Sequence, residues 1–95
     1  TREQKVHRVR VALLEQANAG KSPVMKYDDV QWLFDGKPSA GHAYTLMELA
    51  AESDGYVYET GGHGSGQKRL RVKPDAVNDE RVFHAANKAT STLPA

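Results

Sequence analysis

The chain has 95 residues, of which 39% are hydrophobic and 26% are charged, and its formal net charge is +1. This length suits one domain with a modest core, and apolar runs of at most about four residues exclude a transmembrane helix or a signal peptide. The absence of cysteine excludes disulfides and thiolate zinc sites. It favours an intracellular protein, cytoplasmic or located in the nucleoid or nucleus.

Charge is unevenly distributed along the chain. Residues 1–26 carry six bases and two acids, and residues 56–73 carry four bases and one acid. Residues 27–55 between them carry six acids and the single base Lys37. The small net charge by itself predicts no strong affinity for polyanions. The distribution of charge into two basic segments is therefore more informative than the net charge.

The first half of the chain predicts two helices and a short strand. Apolar residues at helical spacing indicate a helix over residues 2–19, with Thr1 as a capping residue and Gly20 as its end. Val24 and Met25 form a short strand. Asp28 is the predicted N-cap of a second helix that ends at Gly36. Tyr27 and Trp32 are spaced for a hydrophobic staple around its start.

A third helix is predicted from Ser39 to Asp54. Five apolar residues point inward at helical spacing: Ala43, Leu46, Met47, Leu49 and Ala50. Two alternating segments follow, "YVYET" and "KRLRVK", which predict a β-hairpin. The second of them alternates Leu70 and Val72 with Arg69, Arg71 and Lys73, so its cations project from one face. A basic edge strand that only discourages aggregation shows the same pattern.

The glycine run "GGHGSG" lies between the two predicted strands. A phosphate-binding Walker loop would need a lysine and a hydroxyl residue after its last glycine, followed by a helix. Gln67 and Lys68 follow Gly66 instead, and a strand pattern comes next. The run is therefore predicted to be a hairpin tip, since glycine tolerates positive φ.

A last helix is predicted after Pro74, with Asn78 as its N-cap and a loose tail behind it. Val82, Phe83 and Ala86 form its apolar stripe. This stripe suits either of two roles, packing on the first helix or contacting a second copy in a homodimer. Both remain open at this point.

The order of these elements, and above all the segment "YDDVQWLFDGKPSAGHAYTLMELAAESDGYVYE", resembles the winged helix-turn-helix family. The resemblance covers about residues 2–73 and implies an α+β fold, with three helices, a β-hairpin wing and a C-terminal helix. A winged helix-turn-helix domain would span residues 1–74, and the C-terminal helix and tail residues 75–95. In this family the second helix of the motif enters the major groove of double-stranded DNA, and the wing lies along the backbone or in the minor groove.

The resemblance implies a DNA-binding surface with three parts. On and before the third helix it comprises Lys37, Ser39, His42, Tyr44 and Thr45. On the wing it comprises His63, Lys68, Arg69, Arg71 and Lys73. On the first helix it comprises Arg2 and Arg8. No acidic residue occurs between Asp35 and Glu48, so the half of the third helix that would enter the groove repels no phosphate. His42 and Tyr44 are equally compatible with ordinary surface and packing roles.

The predicted function is DNA binding, by a small transcriptional regulator or by the DNA-binding part of a replication or recombination protein. Thr1 in place of an initiator methionine favours a fragment of a larger protein. No catalytic constellation, metal site, cofactor, membrane contact or small-molecule ligand is predicted, because the four histidines are scattered and no nucleophile–base set stands out. The alternative is a winged helix that binds another protein through the acidic middle segment and exposed aromatics such as Trp32.

Overall fold

The computed structural model describes residues 2–60 and 68–90, and of residues 83 and 87–90 only the helical backbone. The architecture is α+β, with four helices and a small antiparallel sheet. In chain order the elements are α1 (Arg2–Asn18), β1 (Val24–Met25), α2 (Tyr27–Leu33), α3 (Ala40–Ala50), β2 (Tyr56–Glu59), β3 (Arg69–Val72), a 3-10 turn (Pro74–Ala76) and α4 (Glu80–Thr90).

The predicted hairpin is confirmed as the antiparallel pair β2–β3, and β1 adds a third strand to it. The strand order is β1-β3-β2, so β3 is the central strand. Arg71 of β3 is paired with Val24 on one side and with Val57 on the other. The interpretation of the basic strand as a sheet edge is therefore wrong. The alternating pattern of β3 still gives the strand one buried face, because Leu70 and Val72 are both in the core.

One core unites the helices and the sheet. Its largest fully buried side chains come from α1, α2, α3, β3 and α4: Leu13, Leu14, Leu46, Met47, Leu70, Val9, Val30 and Val82. In α3 the predicted inward set holds, with Leu49 half-buried against the core and the other four buried.

The inner face of α4 packs on α1 and belongs to this same core. Val82 and Ala86 are fully buried, so these two side chains are occupied within the chain. Packing on the first helix, one of the two roles that the sequence left open, is what the structure shows for them. A contact with a second copy would have to use other residues of α4.

The helix starts correct two predicted caps. Ser39 caps α3, since its Oγ accepts the N–H of His42 at 3.2 Å. In α2 the N-cap is Lys26, two residues before the predicted Asp28, and the Asp29 carboxylate accepts the Lys26 N–H at 3.0 Å. Asp28 lies inside that first turn and is not the N-cap.

At α4 the capping residue is Asp79 rather than Asn78. The carboxylate of Asp79 accepts the N–H of Arg81 at 3.0 Å, which is the pattern of an N-cap bonding the second helical residue. Asn78 instead donates to Asp54 at 3.4 Å. A carboxylate at this position also complements the positive end of the helix dipole.

The end of α3 is held by an arginine from α1. Arg10 donates from Nε to the carbonyl of Ala50 at 3.1 Å and from Nη2 to that of Leu49 at 2.8 Å. The same carbonyls accept the N–H groups of Glu52 and Ser53 just beyond the helix, at 3.1 and 3.3 Å. The cation therefore adds a charged donor at this end and favours the helix dipole. The hydroxyl of Tyr56 in turn donates to the carbonyl of Arg10 at 2.7 Å. The helix ends at Ala50, four residues before the predicted Asp54.

Gly55 makes the tight connection from α3 into β2. Its φ is +93°, and a Cβ built on it would lie 2.8 Å from the Val77 side chain and backbone. Both the backbone conformation and the lack of space require glycine here.

The predicted staple between Tyr27 and Trp32 is wrong. Trp32 is 77% exposed, whereas the ring of Tyr27 packs on that of Tyr44 in α3, with 5.3 Å between centroids. The predicted cap Thr1 and the glycine tip, residues 61–66, lie outside the described residues. None of the helices described is long and apolar enough to cross a membrane.

Candidate nucleic-acid interface

The N-terminal half of α3 presents a short polar surface. Lys37 and Ser39 are exposed just before the helix, and His42 and Thr45 are half-buried on it. The Thr45 hydroxyl donates to the carbonyl of Gly41 at 3.1 Å, which leaves its methyl group and both lone pairs of its oxygen for other contacts. Lys37, Ser39, His42 and Thr45 are thus all accessible at or just before the N-terminal half of α3. The Tyr44 ring differs, because it packs against Tyr27.

Tyr44 is a packing residue as much as a surface residue. Its ring is tilted by 42° against that of Tyr27, and the ammonium of Lys68 lies 5.2 Å from its centroid. This cation–π contact is worth about 0.5–1 kcal/mol at an exposed site. Tyr44 thus joins α2, α3 and the start of β3, and it brings one base of the hairpin to the α3 surface.

Strand alternation divides the bases of the hairpin between two faces. Lys68 has the same parity as Leu70, so it points toward the helices. Arg69 and Arg71 have the opposite parity and lie half-buried on the outer face of the sheet. Lys73 follows the strand and is exposed, with its N–H donating to the carbonyl of Gly55 at 2.7 Å. The hairpin bases do not form a single cluster.

Glu59 on β2 partly neutralises the two arginines. Its Oε1 lies 3.0 Å from Nε of Arg71 and 3.9 Å from Nε of Arg69. All three side chains are between 37% and 44% exposed, so each pair contributes at most about 1 kcal/mol to stability. The sequence analysis missed this residue. The hairpin register would have indicated it, because Glu59 is directly opposite Arg69.

Tyr58 lies beneath the α3 surface with a buried hydroxyl that has no hydrogen-bond partner among the described residues. Burial raises the pKa of Tyr58, and the nearby Glu48 carboxylate and Tyr44 raise it further. The phenol therefore stays neutral at physiological pH and adds no negative charge to the surface.

The bases of α1 lie apart from the α3 surface. Arg2 lines an open groove of about 770 Å³ together with Leu49, Glu52 and Arg81, which places it near the C-terminal end of α3. Arg8 is exposed on α1. His63 lies outside the described residues. The structure thus places Lys37, Ser39, His42 and Thr45 at or just before the N-terminal half of α3 and Lys68 against Tyr44 of the same half. It places Arg2 near the other end of the helix.

In residues 2–60 and 68–90 there is no group of three His, Asp or Glu side chains that could hold a metal ion. No protein-family model, curated protein or solved structure matches this chain.

Proposed function

We propose that the protein is a winged helix-turn-helix domain that binds double-stranded DNA, with α3 as the recognition helix and β2–β3 as the wing. The order α1–β1–α2–α3–β2–β3 supports this, as does a sheet in which β1 pairs with the second strand of the hairpin. In such a domain the N-terminal residues of the recognition helix reach the base edges.

The observation that carries the proposal is the contact between Lys68 and Tyr44. It joins the root of the hairpin to α3 and places one hairpin base beside the N-terminal half of that helix. Lys37 adds a second base at the start of α3, where the helix dipole is also positive. Asp35 and Glu48 bound a stretch of the chain without acidic residues, which keeps phosphate repulsion away from this surface.

In the proposed mechanism, phosphate contacts position the protein on the duplex, and base contacts contribute modestly to sequence preference. Lys37 and Lys68 bind phosphates beside α3, and the outer-face arginines reach the backbone further along the duplex. His42 and Thr45 are the base-reading candidates. Since α3 has no arginine or asparagine, it lacks the side chains that make the most specific bidentate contacts. Affinity is therefore expected to depend more on salt than on sequence.

The test is fluorescence anisotropy of a labelled duplex over a series of salt concentrations. Binding should weaken steeply with salt. Lys68→Ala should weaken binding to every sequence alike and lower the salt slope by about one unit.

The matched control is Lys21→Ala, which removes an equal charge beyond the end of α1. This variant should keep the slope of the unmodified protein. If no duplex binds at low salt, or if Lys21→Ala and Lys68→Ala have equal effects, the proposed surface is wrong.

A further inference from the structure

We propose a second binding surface, in the groove between the C-terminal half of α1 and α2, that docks a protein segment carrying a lysine or arginine beside apolar side chains. The surface centres on Trp32, the only tryptophan of the chain. Its indole is 77% exposed on a helix whose other large apolar side chains are buried or half-buried. A side chain of this size contributes a large apolar area on binding, and exposed aromatics beside a groove mark interaction sites.

The groove next to Trp32 has a volume of about 430 Å³. Ala12 of α1, Ala19 just beyond its end and Leu33 of α2 form the apolar part of its wall. The small alanines leave the space open, and the 430 Å³ volume suits apolar side chains of a partner. The Gln16 amide donates to the carbonyls of Ser22 at 2.6 Å and Val24 at 3.2 Å. These hydrogen bonds hold the segment that follows α1 against the helix beside the groove.

The charge around the indole is acidic. Asp28 and Asp29 lie four and three residues before Trp32 in α2, which puts all three on one helical face. Glu15 lines the α1 side of the groove, and Lys21 is the one base among its lining residues. No ion pair described in residues 2–60 and 68–90 involves Glu15, Asp28 or Asp29. The two aspartates accept backbone N–H groups at 3.0 Å and retain their charge for a partner.

The exposed indole, the carboxylates and the apolar wall indicate which kind of partner segment fits the groove. A lysine or arginine placed over the exposed indole would gain a cation–π contact and would face two carboxylates one turn away. Apolar neighbours of that cation would enter the groove. A nucleic acid is disfavoured by the same carboxylates, so the occupant is a basic and apolar protein segment. The lining of this groove contains none of the residues assigned to DNA binding, and the proposal stands without the proposed function.

The experiment uses two synthetic amphipathic peptides, one of leucine and lysine and one with glutamate at every lysine position. The lysine peptide should shift the fluorescence of Trp32 to shorter wavelength with saturation, and the glutamate peptide should not. Binding of a labelled lysine peptide, followed by anisotropy, should weaken about three- to thirty-fold in Trp32→Ala. It should also weaken in the double variant Asp28→Asn, Asp29→Asn, whose amides keep the acceptor oxygens.

Glu52→Gln, which removes one carboxylate charge outside the lining of this groove, is the control and should bind the lysine peptide like the unmodified protein. Equal binding by Trp32→Ala, or an equal loss in Glu52→Gln, would show that the peptide responds only to overall charge and would overturn the proposal. Equal binding of the lysine peptide and the glutamate peptide would also overturn the proposal. Sedimentation that shows a dimer of the protein, lost in Trp32→Ala, would make a second copy the occupant and refute the basic segment.

Discussion

On the proposed DNA-binding function, Glu59→Gln should strengthen binding of a duplex, because Glu59 pairs with two arginines that phosphates would otherwise contact. The carboxylate lies 3.0 Å from Arg71 and 3.9 Å from Arg69. With the side chain neutral, both guanidinium groups become available, and one negative charge is removed from the outer face of the wing.

The magnitude follows from the exposure of the pairs. Two ion pairs between exposed groups are worth about 0.2–1 kcal/mol each, so releasing both should raise affinity by about two- to thirty-fold. Each arginine that gains a phosphate contact should steepen the salt slope by about 0.9. The free energy of unfolding should fall by no more than about 2 kcal/mol, since the pairs are solvent-screened.

The assay is anisotropy of one labelled duplex at several salt concentrations, with thermal unfolding measured in parallel. Glu52→Gln changes the net charge equally but lies beyond the C-terminal end of α3, and it should raise affinity less. An unchanged affinity and slope in Glu59→Gln would remove the outer face of the wing from the DNA surface. Equal gains in the two variants would attribute the effect to net charge alone.

Four further outcomes are expected. Alanine at both His42 and Thr45 should relax sequence preference more than it lowers non-specific binding, as measured with competitor duplexes, and should leave the melting temperature nearly unchanged. Arg10→Ala should lower the free energy of unfolding by about 1–3 kcal/mol in urea titrations, because two carbonyls at the end of α3 lose a charged donor. Gly55→Ala should destabilise by at least about 1 kcal/mol in the same titrations, through its positive φ and the crowded position of the new methyl group. Burial raises the pKa of Tyr56 above its usual value near 10, so the unfolded chain loses this proton first and stability should decline as pH rises above about 10, a loss that Tyr56→Phe should remove.

Local patterns of the sequence determined the elements and their inner faces. Helical spacing defined α1 and four buried positions of α3, and the alternation of Leu70 and Val72 defined the inner face of β3. The start of α3 was placed at Ser39, its N-cap in the structure, because an N-cap bond joins residues three apart. Such signals lie within one turn or one strand, where the chain itself fixes the distances between residues.

Only the tertiary structure decided which elements meet. The central position of β3 depends on pairing with β1, and the end of α3 depends on Arg10, which is about 40 residues away in sequence. The sharing of Glu59 by two arginines required the hairpin register, and the exposure of Trp32 required the packing of α2 against α3 rather than against α1. These contacts form between segments distant along the chain, so no spacing within either segment encodes them. Their geometry comes from the joint burial of one core, which fixes where each helix and strand lies.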